Sequence, residues 1–502
     1  MTLLKRLLML LMLPLFLAAP PALAQEEDED SGGFLERLIE DSLSGAGRDV
    51  RIIGFRGALS SEATLERMTI SDSDGVWLTL ENAKLNWRRT ALLRGQLVVN
   101  ELSAERLAIA RAPVTEGEAP APEASGDFAL PDLPVSVEVG ALNIARVELG
   151  APLMGEEIAL EVQGSAKLAD GEGNADISVN RLEGPRDSLT LAGSYANDSG
   201  TLNIDLALEE DSGGIVGTKL GLPGAPSLAL TVKGDGVLDD FTADLQLATD
   251  GEERLGGQVT LQGSSEAGRQ FTADLSGDLR PLLPEEHRDF FGPEQSLQVT
   301  GLQGSDGTLD LEKLDLQTAM VSLTGSARIG ADGWPELLKL DGEIASDDGS
   351  PVRLAMSGDV TMLDNATLTL DFDASQGEAF ILDLVAEGID RPNMSIERAD
   401  IAGRGTIRRS AGASLPGGVE AQLTFDATGL DFADASMADA AGEELKGVMQ
   451  IDWQAGDPLY LRQIDFGGAG LSLAGDVTFS GLGNSGNIII DQALHEVLSY
   501  WF

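Results

Sequence analysis

Cysteine is absent from this chain. Its absence excludes disulfides, thiolate nucleophiles, Cys-zinc sites and lipid attachment to an N-terminal cysteine. Histidine is nearly absent as well, with only His287 and His495, far apart in sequence. A His-based triad needs a nucleophile and an orienting carboxylate close by, and nothing marks one. His287, beside Arg288, reads as a residue of a solvated loop. No P-loop occurs, and no Gly-rich loop opens a helix after a parallel strand, so nucleotide binding has no motif to rest on. Basic residues are few: 34 against 83 acidic, for a net charge of -49. That surface repels a phosphate backbone, which argues against nucleic acid as a partner. It favours solubility and opposes self-association. Carboxylates are so common that no pair of them singles out acid–base chemistry. The chain is therefore read as a non-enzyme without cofactor or metal.

Aromatics are scarce at 5%, while glycine is abundant, 60 among 502 residues, and 42% of the chain is apolar. That apolar content is too high for a disordered chain of this charge. What is present is a short alternating phrase, apolar-polar-apolar, followed by Gly and then Ser or Asp. Leu189-Thr190-Leu191-Ala192-Gly193-Ser194, Val259-Thr260-Leu261-Gln262-Gly263-Ser264 and Leu471-Ser472-Leu473-Ala474-Gly475-Asp476 are examples. A period of two is the signature of β-strands. The glycines at 164, 193, 263, 277, 325, 358 and 475 are expected to end strands. The spacing predicts a mostly β protein: an elongated, curled antiparallel sheet, open as a groove, with one apolar and one wet face. Roughly 30 strands at about 4.8 Å each would extend on the order of 140 Å.

Six segments are expected along the chain. Residues 1–24 carry Lys5 and Arg6, an apolar run from Leu7 to Leu17 and Ala22-Leu23-Ala24 before Gln25. That is a secretory signal; retained uncut, it is an N-terminal anchor. Both readings place the chain in a periplasm. Residues 25–49 are an acidic spacer and a short amphipathic helix over Phe34–Leu43. Residues 50–112 form an N-terminal β block. Within it, Asp74-Gly75 is expected to supply a hairpin turn between Ile70 and Leu80. Asp72 and Asp74 read as turn residues, because a calcium loop needs more oxygen donors at set spacing. Residues 113–134, with five prolines, are a linker or exposed loop. Residues 135–490 are the repetitive β-groove, interrupted by a short helix or lid over Pro281–Phe291. Residues 491–502 are an atypical tail whose abrupt aromatic end suggests a truncated product.

A continuous apolar face is where lipid tails, or apolar strands of a client protein, leave water. The candidate lipid-binding face comprises Leu202, Ile204, Leu206, Leu228, Leu230, Val232, Leu245, Leu247, Leu309, Leu311, Leu368, Leu370, Leu423 and Phe425.

Arg51-Ile52-Ile53-Gly54-Phe55-Arg56-Gly57-Ala58-Leu59, the Asp74-Gly75-Val76-Trp77-Leu78 phrase and Leu85-Asn86-Trp87-Arg88-Arg89-Thr90-Ala91-Leu92-Leu93-Arg94-Gly95-Gln96-Leu97 together resemble the start of the TamB family. This family supplies the periplasmic component of the translocation and assembly module, in the AsmA-like, bridge-like lipid-transfer group. The likeness covers about residues 34 to 112 and rests on Gly54, Asp74, Gly75, Trp77 and Trp87. It implies an inner-membrane-associated protein with a β-groove that carries phospholipid towards the outer membrane. It also implies help in assembling outer-membrane or autotransporter proteins, with a TamA-like outer-membrane barrel as partner. Two features differ: the N-terminal segment here looks cleavable, and no candidate for the family's TamA-binding domain follows. Trp77 and Trp87 are expected to pack within the sheet. A secreted structural or adhesive β-repeat protein is the alternative, though a solenoid would need shorter and more uniform repeats. A calcium-binding secreted module is a third reading.

Overall fold

The computed structural model describes residues 49–57, 60–114, 130, 136–263, 268–356, 359–409, 417–470, 472–480 and 487–489. The candidate signal, the Phe34–Leu43 helix, most of the proline-rich stretch, His495 and the tail lie outside these residues. Among the described residues, no helix is long and apolar enough to cross a membrane. The fold is mostly β, 66% strand and 7% helix, as the alternation predicts. It divides into two compact units, Met1–Glu252 and Glu253–Phe502.

The first unit holds β1 (Asp49–Ile53), β2 (Glu62–Asp72), β3 (Gly75–Trp87), β4 (Gln96–Ala104), β5 (Arg106–Ile109), β6 (Ser136–Leu149), β7 (Ile158–Ala169), β8 (Glu172–Arg181), β9 (Asp187–Ala196), β10 (Thr201–Glu210), β11 (Leu228–Val237) and β12 (Asp240–Thr249). Three short helices interrupt them: α1 (Arg89–Leu92), α2 (Ala151–Met154) and α3 (Ile215–Lys219). The second unit holds β13 (Glu252–Gln262), β14 (Arg269–Gly277), β15 (Gln295–Gln303), β16 (Leu309–Gln317), β17 (Val321–Ile329), β18 (Pro335–Ala345), β19 (Val352–Arg353), β20 (Met362–Leu363), β21 (Asn365–Asp373), β22 (Ala379–Arg391), β23 (Met394–Arg408), β24 (Gly418–Phe432), β25 (Glu444–Gln454), β26 (Leu459–Gly467), β27 (Ser472–Ser480) and β28 (Asn487–Ile489). Its helices are α4 (Arg288–Phe291) and α5 (Ala435–Ala441). The helical turn expected near Pro281–Phe291 is there. His287 lies on it half-buried, with Nδ1 buried and unpartnered, so the expected solvated loop is corrected.

Sequence neighbours pair antiparallel through most of both units. The exception corrects the all-antiparallel expectation. β4 and β5 both run parallel to β6, Leu97 opposite Val137 and Leu107 opposite Val147. A parallel pair needs a crossover long enough to carry the chain back along the strand. The sequence between β5 and β6 is long enough for one. Within it, the described Leu130 donates its N–H to Asn197 Oδ1 at 2.8 Å, and Asn197 Nδ2 donates to its carbonyl at 2.9 Å. Glu148 on β6 ties the junction through Arg106 and Arg146 (2.8 Å), which hold its carboxyl down at about 2.

The β2–β3 turn also differs from expectation. Asp72 faces Gly75 in the ladder, so the turn residues are Ser73 and Asp74, and Gly75 opens β3 with φ of 101°. Asp72 accepts hydrogen bonds from the Asp74 N–H (2.9 Å), the Val114 N–H (2.7 Å) and the Arg111 guanidinium (2.5 Å). Arg111 above all holds this carboxyl far below the usual carboxylate range.

The glycine punctuation needs the largest correction. Gly263 and Gly277 do fall at strand ends, and Gly358 lies outside the described residues. Gly164, Gly193, Gly325 and Gly475 instead lie inside β7, β9, β17 and β27. Several of these interior positions have no room for a side chain. A Cβ on Gly164 would lie 2.5 Å from the Asp176 carbonyl oxygen, and one on Gly325 would overlap that of Lys339. Gly257, Gly277 and Gly405 meet the Asp274, Arg254 and Glu420 carbonyls in the same way. In each case the offending carbonyl belongs to the residue just before the glycine's ladder partner. At each of these positions the neighbouring backbone comes close over the glycine, and the missing side chain is what lets it.

Candidate functional site

Ladder partners present their side chains on the same face, so the register shows what each face carries. Four rows run across β6 to β12. One is Leu142, Gly164, Ile177, Leu191, Leu206, Val232 and Leu245. The next is Ile144, Val162, Val179, Leu189, Leu208, Leu230 and Leu247. The others run from Val139 through Ile204 to Ala243, and from Val137 through Leu202 to Phe241. No charged residue interrupts them. The reverse face carries Asn203, Asp205, Asp235 and Asp244, all exposed. An open cavity of about 660 Å³ lies on that reverse face, lined by these groups with Asp176 and Lys233. Its carboxylates make it a wet surface.

The second unit repeats the pattern. Leu297, Leu316, Leu323, Gly342, Leu368, Leu384, Ile401 and Phe425 form one row. Val299, Leu314, Gly325, Leu340, Leu370, Leu382, Gly403 and Leu423 form the next. A register shift between Leu311 and Leu314 breaks the simple alternation of β16 and restores the face. Phenylalanines lie over glycines in this unit. Phe271 lies over Gly301 and Phe380 over Gly405, occupying the space a side chain there would take.

Burial separates packed from available surface. Sealed clusters form around Val50, Ile52, Ile70 and Trp77, and around Leu97, Val99 and Val137. In the second unit they form around Phe372, Phe380 and Ala421, around Ile396, Ala427 and Leu445, and around Ile464 and Val477. Among the described residues from Thr242 to Pro351, no hydrophobic side chain is buried. In the first unit, the two rows through Leu206 and Leu230 are half-buried across β8 to β12 and belong to no sealed cluster there.

The residues expected to face lipid are divided by the fold. Leu202, Ile204, Leu206, Leu230, Val232, Leu245 and Leu247 share one half-buried face, and Leu311 and Leu368 lie on its counterpart in the second unit. Leu309 lies outside the rows, exposed and opposite Gln303. Leu370 packs against the Phe372 cluster, and Phe425 against the Ala427 cluster and the edge of Phe466, 5.9 Å away; Leu423 is half-buried. Leu228 is a correction: it is only 5% exposed and packs against Gly217 of α3, so it offers a guest nothing. Among the resemblance residues, Trp77 is buried with its indole Nε1 unpartnered, and Trp87 packs beside Leu97 and donates to the Ser60 carbonyl at 3.1 Å. Gly54 takes φ of 72° against Glu66.

The alternation does not reveal the polar clasp at one rim of the face. Arg181, Asp187, Glu210, Leu228 and Thr249 stand at the strand ends beyond Leu230. Asp187, Glu210 and Thr249 are buried there. Glu210 accepts from the Val216 N–H at 2.8 Å and the Gly217 N–H at 3.2 Å. Asp187 accepts from the Ile215 N–H at 3.2 Å and from Arg181 at 3.0 Å. These carboxylates satisfy the amides of α3, which otherwise lack partners at a helix start. In the second unit Gln295, also buried, accepts from the Leu279 N–H at 2.6 Å and donates to the Phe291 and Gly292 carbonyls. The second unit thus has a helical cap of its own at Gln295. In the first unit one rim of the apolar rows is capped by α3, while short turns such as Asp170-Gly171 form the other. Their φ values, 52° and 74°, are those a two-residue hairpin turn demands. The sequence carries part of this signal: Glu209-Glu210 ends an otherwise clean alternation just before a Gly-Gly pair.

Glu210→Ala is expected to cost about 2 kcal/mol, since it strands buried amides, and to raise hydrogen exchange at residues 215–219. Glu210→Gln should retain most of the protection. Unchanged exchange in the alanine variant would remove the clasp's structural role.

The chain matches no protein-family model, no curated protein and no solved structure. Its function has to be argued from the two faces of the sheet.

Proposed function

We propose that the half-buried apolar rows hold phospholipid acyl chains, and that the protein carries lipid along this face in a periplasm. The observation that carries the proposal is that leucines line one face of β8 to β12, and again one face of β13 to β18, largely without being sealed. The tipped carbonyls at Gly257, Gly277 and Gly325 support a sheet that curls towards one side. An acyl chain laid on such a face gains about 25 cal/mol per Å² of apolar surface removed from water. It brings no polar group that needs a partner. An unfolded apolar strand brings a peptide group at every residue, and the rows offer side chains only, with no backbone to pair it. Lipid is thus the guest the chemistry favours, and assistance to outer-membrane proteins with a TamA-like partner is the secondary role. The adhesive alternative loses support from the pairing, because successive strands form an antiparallel meander where a solenoid would stack in parallel.

The test is site-specific photocrosslinking in the periplasm. A photoreactive residue replacing Ile204 or Leu230 should label phospholipid. One replacing Asn203 or Thr231, on the reverse face, should not. Equal labelling from both faces would defeat the proposal.

A further inference from the structure

The chain is acidic almost everywhere, yet residues 82–100 contain Lys84, Arg88, Arg89 and Arg94 and no acid. This window spans α1 and its flanks. Arg88, Arg89 and Arg94 are exposed on it. Arg88 and Arg94 form no ion pair among the described residues, in a protein where most arginines on the sheet do. Between them stands Leu93, 89% exposed, the highest value among the described large hydrophobic residues. The neighbouring side chains hold the loop in place: Ala91 is buried, Trp87 is hydrogen-bonded to Ser60, and Leu97 is sealed against Val99 and Val137. A rigid base thus presents a bare leucine flanked by guanidinium groups. It does so at the turn rim, where the row beginning at Val137 starts.

We infer that the α1 loop docks on an anionic lipid bilayer, with Leu93 entering the headgroup boundary and Arg88 and Arg94 facing lipid phosphates. Arginine suits phosphate because its guanidinium offers a planar donor fork. The remaining negative charge does not prevent contact, since at physiological ionic strength fields beyond about 8 Å are screened. A nucleic acid would bring the same phosphates but no hydrocarbon for the leucine. An acidic protein would bring carboxylates for the arginines but no hydrocarbon layer for the leucine to enter. Docking at this loop does not depend on what the apolar rows carry.

Because cysteine is absent, Leu93→Cys creates a single attachment point for a polarity-sensitive fluorophore. Leu220→Cys, at another exposed leucine (68%), is the control. The full chain is mixed with vesicles of phosphatidylglycerol and phosphatidylethanolamine, or of phosphatidylcholine alone. The label at 93 should shift to the blue and be quenched by lipid-borne quencher with the anionic vesicles only, and the label at 220 should not. Adding Arg88→Gln and Arg94→Gln should weaken the response about tenfold or more, the loss expected for two cations facing an anionic leaflet. The N-terminal apolar segment is common to every variant, so the local signal alone decides. Equal responses at 93 and 220, indifference to vesicle charge or to the arginines, or displacement by a duplex oligonucleotide at equal phosphate would each overturn the inference.

Discussion

Gly325→Val should destabilise the β17–β18 hairpin by about 3 kcal/mol or more, as overpacking against an immovable neighbour does. The reason is local. A Cβ at 325 overlaps the Lys339 carbonyl oxygen and comes within 2.7 Å of Leu340 Cδ2. Leu340 can change rotamer, but a ladder carbonyl cannot move without breaking its pairing. Gly193→Ala is the matched contrast. Gly193 occupies an equivalent mid-strand position in β9, yet its nearest obstacle is the Asn203 carbonyl at 3.6 Å. There, alanine removes the entropic cost of an interior strand glycine, and a gain of about 0.5 kcal/mol is expected. Unfolding of a chain with two compact units is not a single transition. The measurement is therefore hydrogen exchange, across 321–345 for the first variant and 187–210 for the second. Equal protection in Gly325→Val and the parent would mean that the backbone does not crowd this glycine and that the proposed curl loses its support there.

The same pair of glycines shows how far the sequence can be read. Leu189-Thr190-Leu191 and its relatives announce strands, their faces and the wet side correctly, because a period of two leaves no other arrangement for residues so divided. Every candidate from Leu202 to Leu247 except Leu228 shares the half-buried face for that reason alone. The phrase misleads about glycine, since a glycine that ends a strand and a glycine that lets a neighbour tip over it look identical in a linear chain. Leu228 is misplaced for a related reason. Its alternation with Leu230 and Val232 is perfect, but whether α3 covers it depends on Glu210 and Asp187, held close by the ladder and distant in sequence. The parallel step between β5 and β6 stays hidden because prolines and acids mark a connection without telling where it lands. Buried Gln295 is unreadable because its partners are backbone groups of a neighbouring turn.

Leu206→Asp should cut the phospholipid recovered with the purified protein at least about tenfold while leaving the fold in place. Leu206 sits mid-row, between Leu191 and Val232 on its two neighbouring strands. A chain crossing that point must strip water from the carboxylate. The desolvation of an unpaired polar group costs more than the roughly 1.4 kcal/mol that a tenfold change requires. In the free protein the carboxylate stays wet, because the rows through Leu206 and Leu230 close no sealed core, so thermal stability should fall only slightly. Ala207→Asp places the same charge one residue away on the opposite face, opposite Thr190 and Thr231, and should leave lipid recovery unchanged. Leu206→Asn separates charge from polarity and should give an intermediate loss. If Leu206→Asp and Ala207→Asp reduced recovery equally, the change would act through overall charge and not through the face. If neither reduced it, lipid would not pass this row at all. The selectivity expected between these two variants has one geometric origin: adjacent residues on a strand point to opposite sides of the sheet, and only one of those sides is dry when a lipid lies on it.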